Sequence, residues 1–382
     1  MIPYNEALNI VTNAISSIQL KTQIISLLDS IGFALAEDIY TDINFPPFSN
    51  SAMDGIAVKY NPEVKKWKIN GSIAAGKFTD ISISENEAVK IMTGGKLPSD
   101  VDTVIPIEDL ITEENFCQLC DSAIVKKGQF IRFIGEDIKA NKCVLQKGTQ
   151  ITSKEIAVLA SCGKSEVPVY APLKVGVLTT GDELVDISEK LDNDKIRATN
   201  LYTLLSLIYE MKMVPVNFGI VKDNKKALYD KLQEALNSDI DILITTGGVS
   251  VGEYDFLKEV MSESGTVTKF WKANIKPGKP ITFGIYDKMD RSKYLFGLPG
   301  NPVSAFVNFN VFIKPAVNNL YGMEPFDVIK AELVNDVFKS DGKMHFLRGH
   351  YSFNGSKNSY MVETAVSQSS GNIMIRVKSS TL

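Results

Sequence analysis

Three stretches of this sequence share one design, an apolar run entering a glycine-containing loop and then a helical pattern: Lys174 to Leu184 (KVGVLTTGDEL), Asp241 to Gly252 (DILITTGGVSVG) and Tyr294 to Ala305 (YLFGLPGNPVSA). Loops of this kind at the carboxyl ends of parallel strands let a ligand approach the backbone closely, and helix N-termini beside them favour anions. Three on one sheet edge would form a single anion-accepting crevice, offering Thr180, Gly181, Gly247, Gly248, Ser250, Pro299, Gly300, Pro302 and Ser304. The same loops carry Asp182, Glu183, Glu253 and Asp255, with Asp223 after a neighbouring strand. Carboxylates repel a bare phosphate, so the combination makes sense if Mg²⁺ lies between them and the phosphate oxygens. Glu183 and Asp223 together favour the metal, whereas Asp255 serves equally well as a helix cap. The stretch WKANIKPGKP sets Lys272, Lys276 and Lys279 around a Pro-Gly turn, where their ammonium groups can face an oxyanion. Two further strings, SAMDG with Asp54 and MTGGKLP with Thr93, could equally be turns bonding their own backbone, and RFIGEDI with Asp137 is ambiguous by itself.

Composition limits the chemistry further. Across 382 residues there are only 2 His and 4 Cys, too few for a histidine-rich metal enzyme or a disulfide-stapled secreted chain. Cys117 and Cys120 form a CxxC, but no second pair stands at zinc spacing. With 41 basic against 45 acidic residues the net charge is -4, which gives no global field for nucleic acid. The N-terminus MIPYNEALNI lacks the pattern of a secretory signal and no apolar run reaches membrane-spanning length, so the expected location is the cytoplasm, without membrane association.

The elements that must position these groups can be read coarsely. Helical spacing predicts a helix from Tyr4 to about Ile18 and another through Ile24, Leu27, Leu28 and Ile31, and these with a linker make a first segment, 1–45. The proline-rich NFPPFSNS then opens a mostly β segment, 46–148, with strands expected at Trp67 to Ile69, Glu87 to Met92, Thr103 to Pro106 and Ser122 to Val125. A return segment covers 149–171. Residues 172–322 alternate strands with helices, as in a doubly wound α/β domain with a parallel sheet. Its strands are expected at Lys174 to Thr179, Val214 to Val221, Ile240 to Thr245 and Tyr294 to Gly297; its helices at Leu201 to Lys212, Lys225 to Asn237, Asp255 to Ser264 and Val303 to Leu320. The remainder, 323–382, alternates like a small β domain.

Taken together, the strings PPFSNSAMDGIAV, IMTGGKLPSDVDTVIPIED, FIRFIGEDI, TTGDEL, TTGGVSVGEYD, IKPGKP and GLPGNPVSAF resemble, in order, those of the molybdopterin molybdenumtransferase family, which includes the bacterial MoeA proteins and the E domain of gephyrin. The resemblance implies insertion of molybdate into adenylylated molybdopterin (molybdopterin-AMP) with Mg²⁺-dependent release of AMP. It implies functional sites at Asp54, Thr93, Asp137, Glu183, Asp223, Asp255, Lys272, Lys276, Lys279, Pro299 and Pro302, with Ser304, Arg348 and Ser370 near molybdate. Within this set Glu183, Asp223 and Asp255 are assigned to Mg²⁺, and Lys276 and Lys279 to molybdate or the pyrophosphate. It further implies a homodimer whose cleft joins the α/β domain of one subunit to the β domain of the other. A molybdopterin adenylyltransferase and acceptor molybdoenzymes are the implied partners. Compared with the family pattern, the stretch after Ser369 to Gly371 is short, and TGG replaces the common TGA. Two other readings are a gephyrin-like scaffold, which would not need the acidic set, and a molybdopterin adenylyltransferase, which would lack the β domain.

Overall fold

In the computed structural model, residues 1–76, 81–248, 256–288, 291–365 and 368–371 are described. The chain divides into two compact units, one of Met1–Glu37, Lys147–Ile156 and Ser165–Leu382, the other of Asp38–Gln146 and Ala157–Lys164.

The larger unit is built on a six-stranded sheet. Its strands are β1 (Lys174–Thr180), β2 (Val214–Val221), β3 (Ile242–Thr246), β4 (Val267–Trp271), β5 (Thr282–Lys288) and β6 (Arg291–Leu298), in the order β2-β1-β3-β6-β5-β4. β2, β1, β3 and β6 run parallel, β5 pairs antiparallel with β6, and β4 pairs antiparallel with β5 at the edge. β1 and β3 are almost entirely buried and read as continuous Val, Leu, Ile and Thr runs, as expected of strands covered on both faces. Helices α1 (Tyr4–Ile15), α2 (Thr199–Glu210), α3 (Lys225–Asn237), α4 (Leu257–Glu263) and α5 (Pro302–Asn308) belong to this unit. One core cluster joins α1 and α2 to Val175, Val177, Ile244 and Phe296; the other joins α3 and α4 to Leu178, Leu243 and Leu295. Successive residues of a strand point to opposite faces, which is why the sheet carries a core on each side. A three-stranded sheet follows, made of Ala331–Leu333, Ser359–Thr364 and Gly349–Asn354.

Several sequence expectations are corrected. The apolar run through Ile24 is not a helix: Thr22–Ser26 is a strand paired antiparallel with Glu166–Tyr170, followed by turns. A short apolar run does not by itself separate the two periods, and the adjacent β-branched Ile24 and Ile25 favour the extended form once a partner strand is present. α1 stops at Ile15, where Ser16 and Ser17 hydroxyls donate to the carbonyls of Thr12 and Ala14 and compete with further helical turns. The helix expected over Val303 to Leu320 is three pieces: α5, a π-helical turn over Phe309–Ile313, and a last helix over Lys314–Tyr321. Pro315 lies in the first turn of that last helix and has no N–H to continue an unbroken ladder. β4 and β5, the hairpin partner of β6, have no counterpart among the expected strands, because β4 is largely exposed and the outer half of β5 is open to solvent, so neither is a continuous apolar run.

The smaller unit contains a six-stranded sheet in which Thr103–Pro106, Gly55–Val58, Glu87–Ile91, Lys66–Ile73, Phe116–Leu119 and Leu110–Thr112 are successive neighbours. Ser122 to Val125 is not a strand; that place in the sheet belongs to Phe116–Leu119, whose Cys117 pairs with Trp67. Cys117 is buried in the core beside Trp67.

Candidate functional site

In the smaller unit, three strings far apart in sequence are stitched into one corner. Ser51 N–H donates to the Gly95 carbonyl at 3.0 Å, Gly94 N–H to the Ser51 carbonyl at 2.8 Å, and Ala52 N–H to the Phe130 carbonyl at 2.9 Å. Asp137 N–H donates to the Phe45 carbonyl at 3.1 Å, and Ile134 N–H to the Ser49 hydroxyl at 3.2 Å. The effect is to fix Asp54 beside Thr93. Both Thr93 donors, the backbone N–H at 2.7 Å and the hydroxyl at 2.8 Å, fall on Asp54 Oδ1. These bonds hold the exposed carboxyl below its ordinary pKa, the backbone one contributing most. Asp54 and Thr93 are therefore not two separate self-capped turns. Asp137 is ion-paired with Arg132, which also bonds Glu136 at 3.0 Å.

In the larger unit, the first three loops meet at the carboxyl ends of β1, β3 and β6. Gly247 has φ +87°, and a Cβ there would lie 2.5 Å from the Thr180 carbonyl oxygen, so only glycine lets the two strand ends approach this closely. Gly247 N–H donates to the Leu298 carbonyl at 3.2 Å, which ties in the third loop. Asp223, after β2, lies within electrostatic reach of Glu183, after β1, and Asp223 N–H donates to Asp182 Oδ1 at 3.2 Å. Burial first, then the charges of Glu183 and Asp182, raise the Asp223 pKa; hydrogen bonds from the Asp182 backbone and the Thr180 side chain oppose the shift. A carboxylate held above its usual pKa by burial and, after it, by neighbouring like charges is a place where a cation would be welcome. No group of three or more His, Cys, Asp or Glu placed to hold a metal occurs among the described residues. Ser250 and Asp255 lie outside the described residues.

The lysine turn and the C-terminal strings reach the same unit through α5. Lys276 and Lys279 are exposed on either side of Gly278, whose φ is +96°. Lys276 Nζ is 3.9 Å from Asp341, while Lys272 is half-buried with its carbonyl accepting from Ile2 N–H at 3.1 Å. Asn308 at the end of α5 is fully buried and donates through Nδ2 to the Gly278 carbonyl at 3.1 Å; a Cβ on Gly278 would lie 2.7 Å from that nitrogen. At the other end of α5, Val303 N–H donates to the Ser370 carbonyl at 3.1 Å, and Arg348 Nη2 donates to the Ser369 carbonyl at 2.9 Å. Pro302 and the buried Ser304 belong to that same first turn, so Ser304, Arg348 and Ser370 are brought together. The loop before α5 is held by the buried Asn200 of α2, whose Nδ2 donates to the Gly300 carbonyl at 2.8 Å.

Asn200 and Asn308 were missed by motif reading. Each has a buried Oδ1 with no hydrogen-bond partner among the described residues, and each clamps a motif loop by its carbonyl. The one signal available for Asn308 was an amide inside an otherwise apolar run, VNFNVFI.

An α/β unit with glycine loops, carboxylates and a lysine turn at one sheet edge is an anion-binding type of domain. Residues 2–163 match the family model described as MoeA N-terminal region (domain I and II), and residues 176–319 match the probable molybdopterin binding domain. The chain is 38% identical over 341 residues to the molybdopterin molybdenumtransferase of Haemophilus influenzae, covering 87% of this chain and 82% of that protein. To the Nostoc enzyme of the same name it is 32% identical, covering 96% and 86%. A crystal structure of the molybdopterin biosynthesis moeA protein from Pyrococcus horikoshii OT3 superposes with a TM-score of 0.81 at 29% identity, covering 98% of this chain and 92% of that one. The chain belongs to the molybdopterin molybdenumtransferase family, transferases of molybdenum cofactor biosynthesis.

Proposed function

We propose that this chain inserts molybdate into the dithiolene of adenylylated molybdopterin and releases AMP. The observation that carries this reading is the α5 beam: one short helix fixes the Lys276–Lys279 turn at its C-terminal end and the Pro302, Ser304 and Ser370 group at its N-terminal end. An oxyanion approaching the turn meets the exposed Lys276 and Lys279, whose backbone is fixed by Asn308, and positive charge placed in advance is a main requirement for stabilising developing negative charge. Lys276 and Lys279 would bind molybdate or the pyrophosphate, with Lys272, Ser304, Arg348 and Ser370 lining the approach. Thr180, Gly181, Gly247, Gly248, Ser250, Pro299, Gly300 and Pro302 would shape the walls against which the cofactor lies.

Glu183 and Asp223, with Asp255, would hold Mg²⁺, and the raised pKa of Asp223 fits a cation-seeking carboxylate. When bound, the ion would supply positive charge beside the phosphate oxygens. Asp54, oriented by Thr93, and Asp137 would serve the same reaction from the β unit, across a cleft shared by a homodimer. The deciding experiment is AMP release from adenylylated molybdopterin with molybdate and Mg²⁺. Release that depends on molybdate is expected, and its absence from folded protein refutes the reading. Mixing a Thr93 variant with a Glu183 variant should restore part of the activity; heterodimers without rescue refute the shared cleft.

A further inference from the structure

Beside Asp54 the smaller unit contains a cavity of about 280 Å³. That is close to the roughly 300 Å³ at which small-molecule pockets begin, enough for a fused bicyclic ring but not for a whole nucleotide. Ile56, Ile107 and Leu110 give it apolar walls, and Asp54, Ser72, Lys90 and Thr112 are among the polar groups that line it. Ile56, Lys90 and Ser72 are direct partners on three adjacent strands, so their side chains share one face of the sheet. Asp54 adds a second feature. Because both Thr93 donors fall on Oδ1, the carboxylate is fixed in orientation while Oδ2 accepts from no donor among the described residues.

An apolar slot flanked by a fixed acceptor and a lysine donor selects for a particular ring edge. A 2-amino-4-oxopyrimidine presents adjacent N–H donors, which a carboxylate accepts, next to a carbonyl that an ammonium can bond. Adenine has an exocyclic amine but no carbonyl and no adjacent ring N–H, so it cannot satisfy both groups. The geometry points to this cavity as the seat of a fused 2-amino-4-oxopyrimidine ring, bound edge-on by Asp54 and Lys90 between the isoleucine walls. On the function proposed above, which this inference takes as its basis for the source of the ring, the ring is the pterin end of the substrate; a guanine nucleotide presents the same edge.

The test is equilibrium binding to the full chain without molybdate or Mg²⁺, so that it stands apart from the AMP-release assay. Quenching of the fluorescence of pterin-6-carboxylate reports its binding, and GMP and AMP are added as competitors. Saturable pterin binding is expected, with GMP competing more weakly and AMP not competing. Asp54→Asn and the pocket-filling Ala74→Phe should each weaken binding by about tenfold or more, with melting temperatures unchanged. Lys90→Met, at an exposed position, provides a third variant should either of the others misfold. No saturable binding at millimolar pterin, wild-type binding by the folded variants, or competition by AMP equal to that of GMP overturns the inference. Stronger binding of GMP than of pterin overturns the pterin assignment. AMP release that persists when pterin binding fails would leave the proposed reaction standing and sink only this site.

Discussion

The latch between Asn308 and Gly278 offers the sharpest test of how the lysine turn is held, because the isosteric change to Asp should cost more than the truncation to Ala. Asn308→Ala removes one neutral hydrogen bond to a carbonyl and leaves Gly278 O unpaired, but it also removes an Oδ1 that had no partner. The net cost is about 1–2 kcal/mol. Asn308→Asp keeps the shape and replaces the donor with a second oxygen aimed at the Gly278 carbonyl in a fully buried place. Such a carboxyl takes up a proton rather than remain charged. Raising its pKa from about 4 to 7 or above costs about 4 kcal/mol at neutral pH, at 1.36 kcal/mol per unit. The folded-state pKa of the new aspartate is raised, so its contribution to stability is complete below the unfolded value near 4 and is lost as pH rises through the folded value. Urea denaturation should therefore find Asn308→Asp about 2 kcal/mol or more less stable than Asn308→Ala at pH 7.5. At pH 5 the gap should narrow or reverse, because the protonated acid can donate to Gly278 O. Both variants should raise the KM for molybdate more than they lower kcat. Equal stability of the two variants at pH 7.5 would refute the buried latch.

Three more outcomes follow from the same geometry. Gly247→Ala places a Cβ 2.5 Å from the Thr180 carbonyl at a positive φ, so it should destabilise by about 1–3 kcal/mol or more in thermal melts; a wild-type melting temperature would show that the loops are not in contact. Thr93→Val deletes one bond to Asp54 and keeps the backbone one, so turnover should fall with stability unchanged, and titration of Asp54 by NMR should move up toward the ordinary carboxylate value. Tyr321→Phe leaves the buried Leu173 N–H without its 3.2 Å acceptor and should cost about 1–3 kcal/mol in denaturation midpoint while AMP release stays intact; a neutral effect would mean that water replaces the hydroxyl.

Much of the α/β unit was legible in the chain. Its buried strands are uninterrupted apolar runs, and its loops announce themselves because glycine is required where backbones touch, as at Gly247. The bond between Asp54 and Thr93 was not legible. Each lies in a short polar turn, and the choice between bonding its own backbone and bonding the other is made by strand pairing that brings residues 39 positions apart to 2.7 Å. The strand at Thr22–Ser26 failed to show for the same reason, since its partner lies at Glu166–Tyr170.

Thus the sequence alone determined the fold class and the places of the glycine loops at the strand ends, because periodicity and glycine demand are local properties of the chain. Only the tertiary structure decided which groups are fixed and which are open. The Asn308 and Asn200 clamps, the docking of Ser370 on α5 and the acceptor left at Asp54 Oδ2 each depend on a hydrogen bond between distant segments. Such bonds are set by packing geometry, in which an amide in an apolar run becomes a latch only when a carbonyl arrives opposite it.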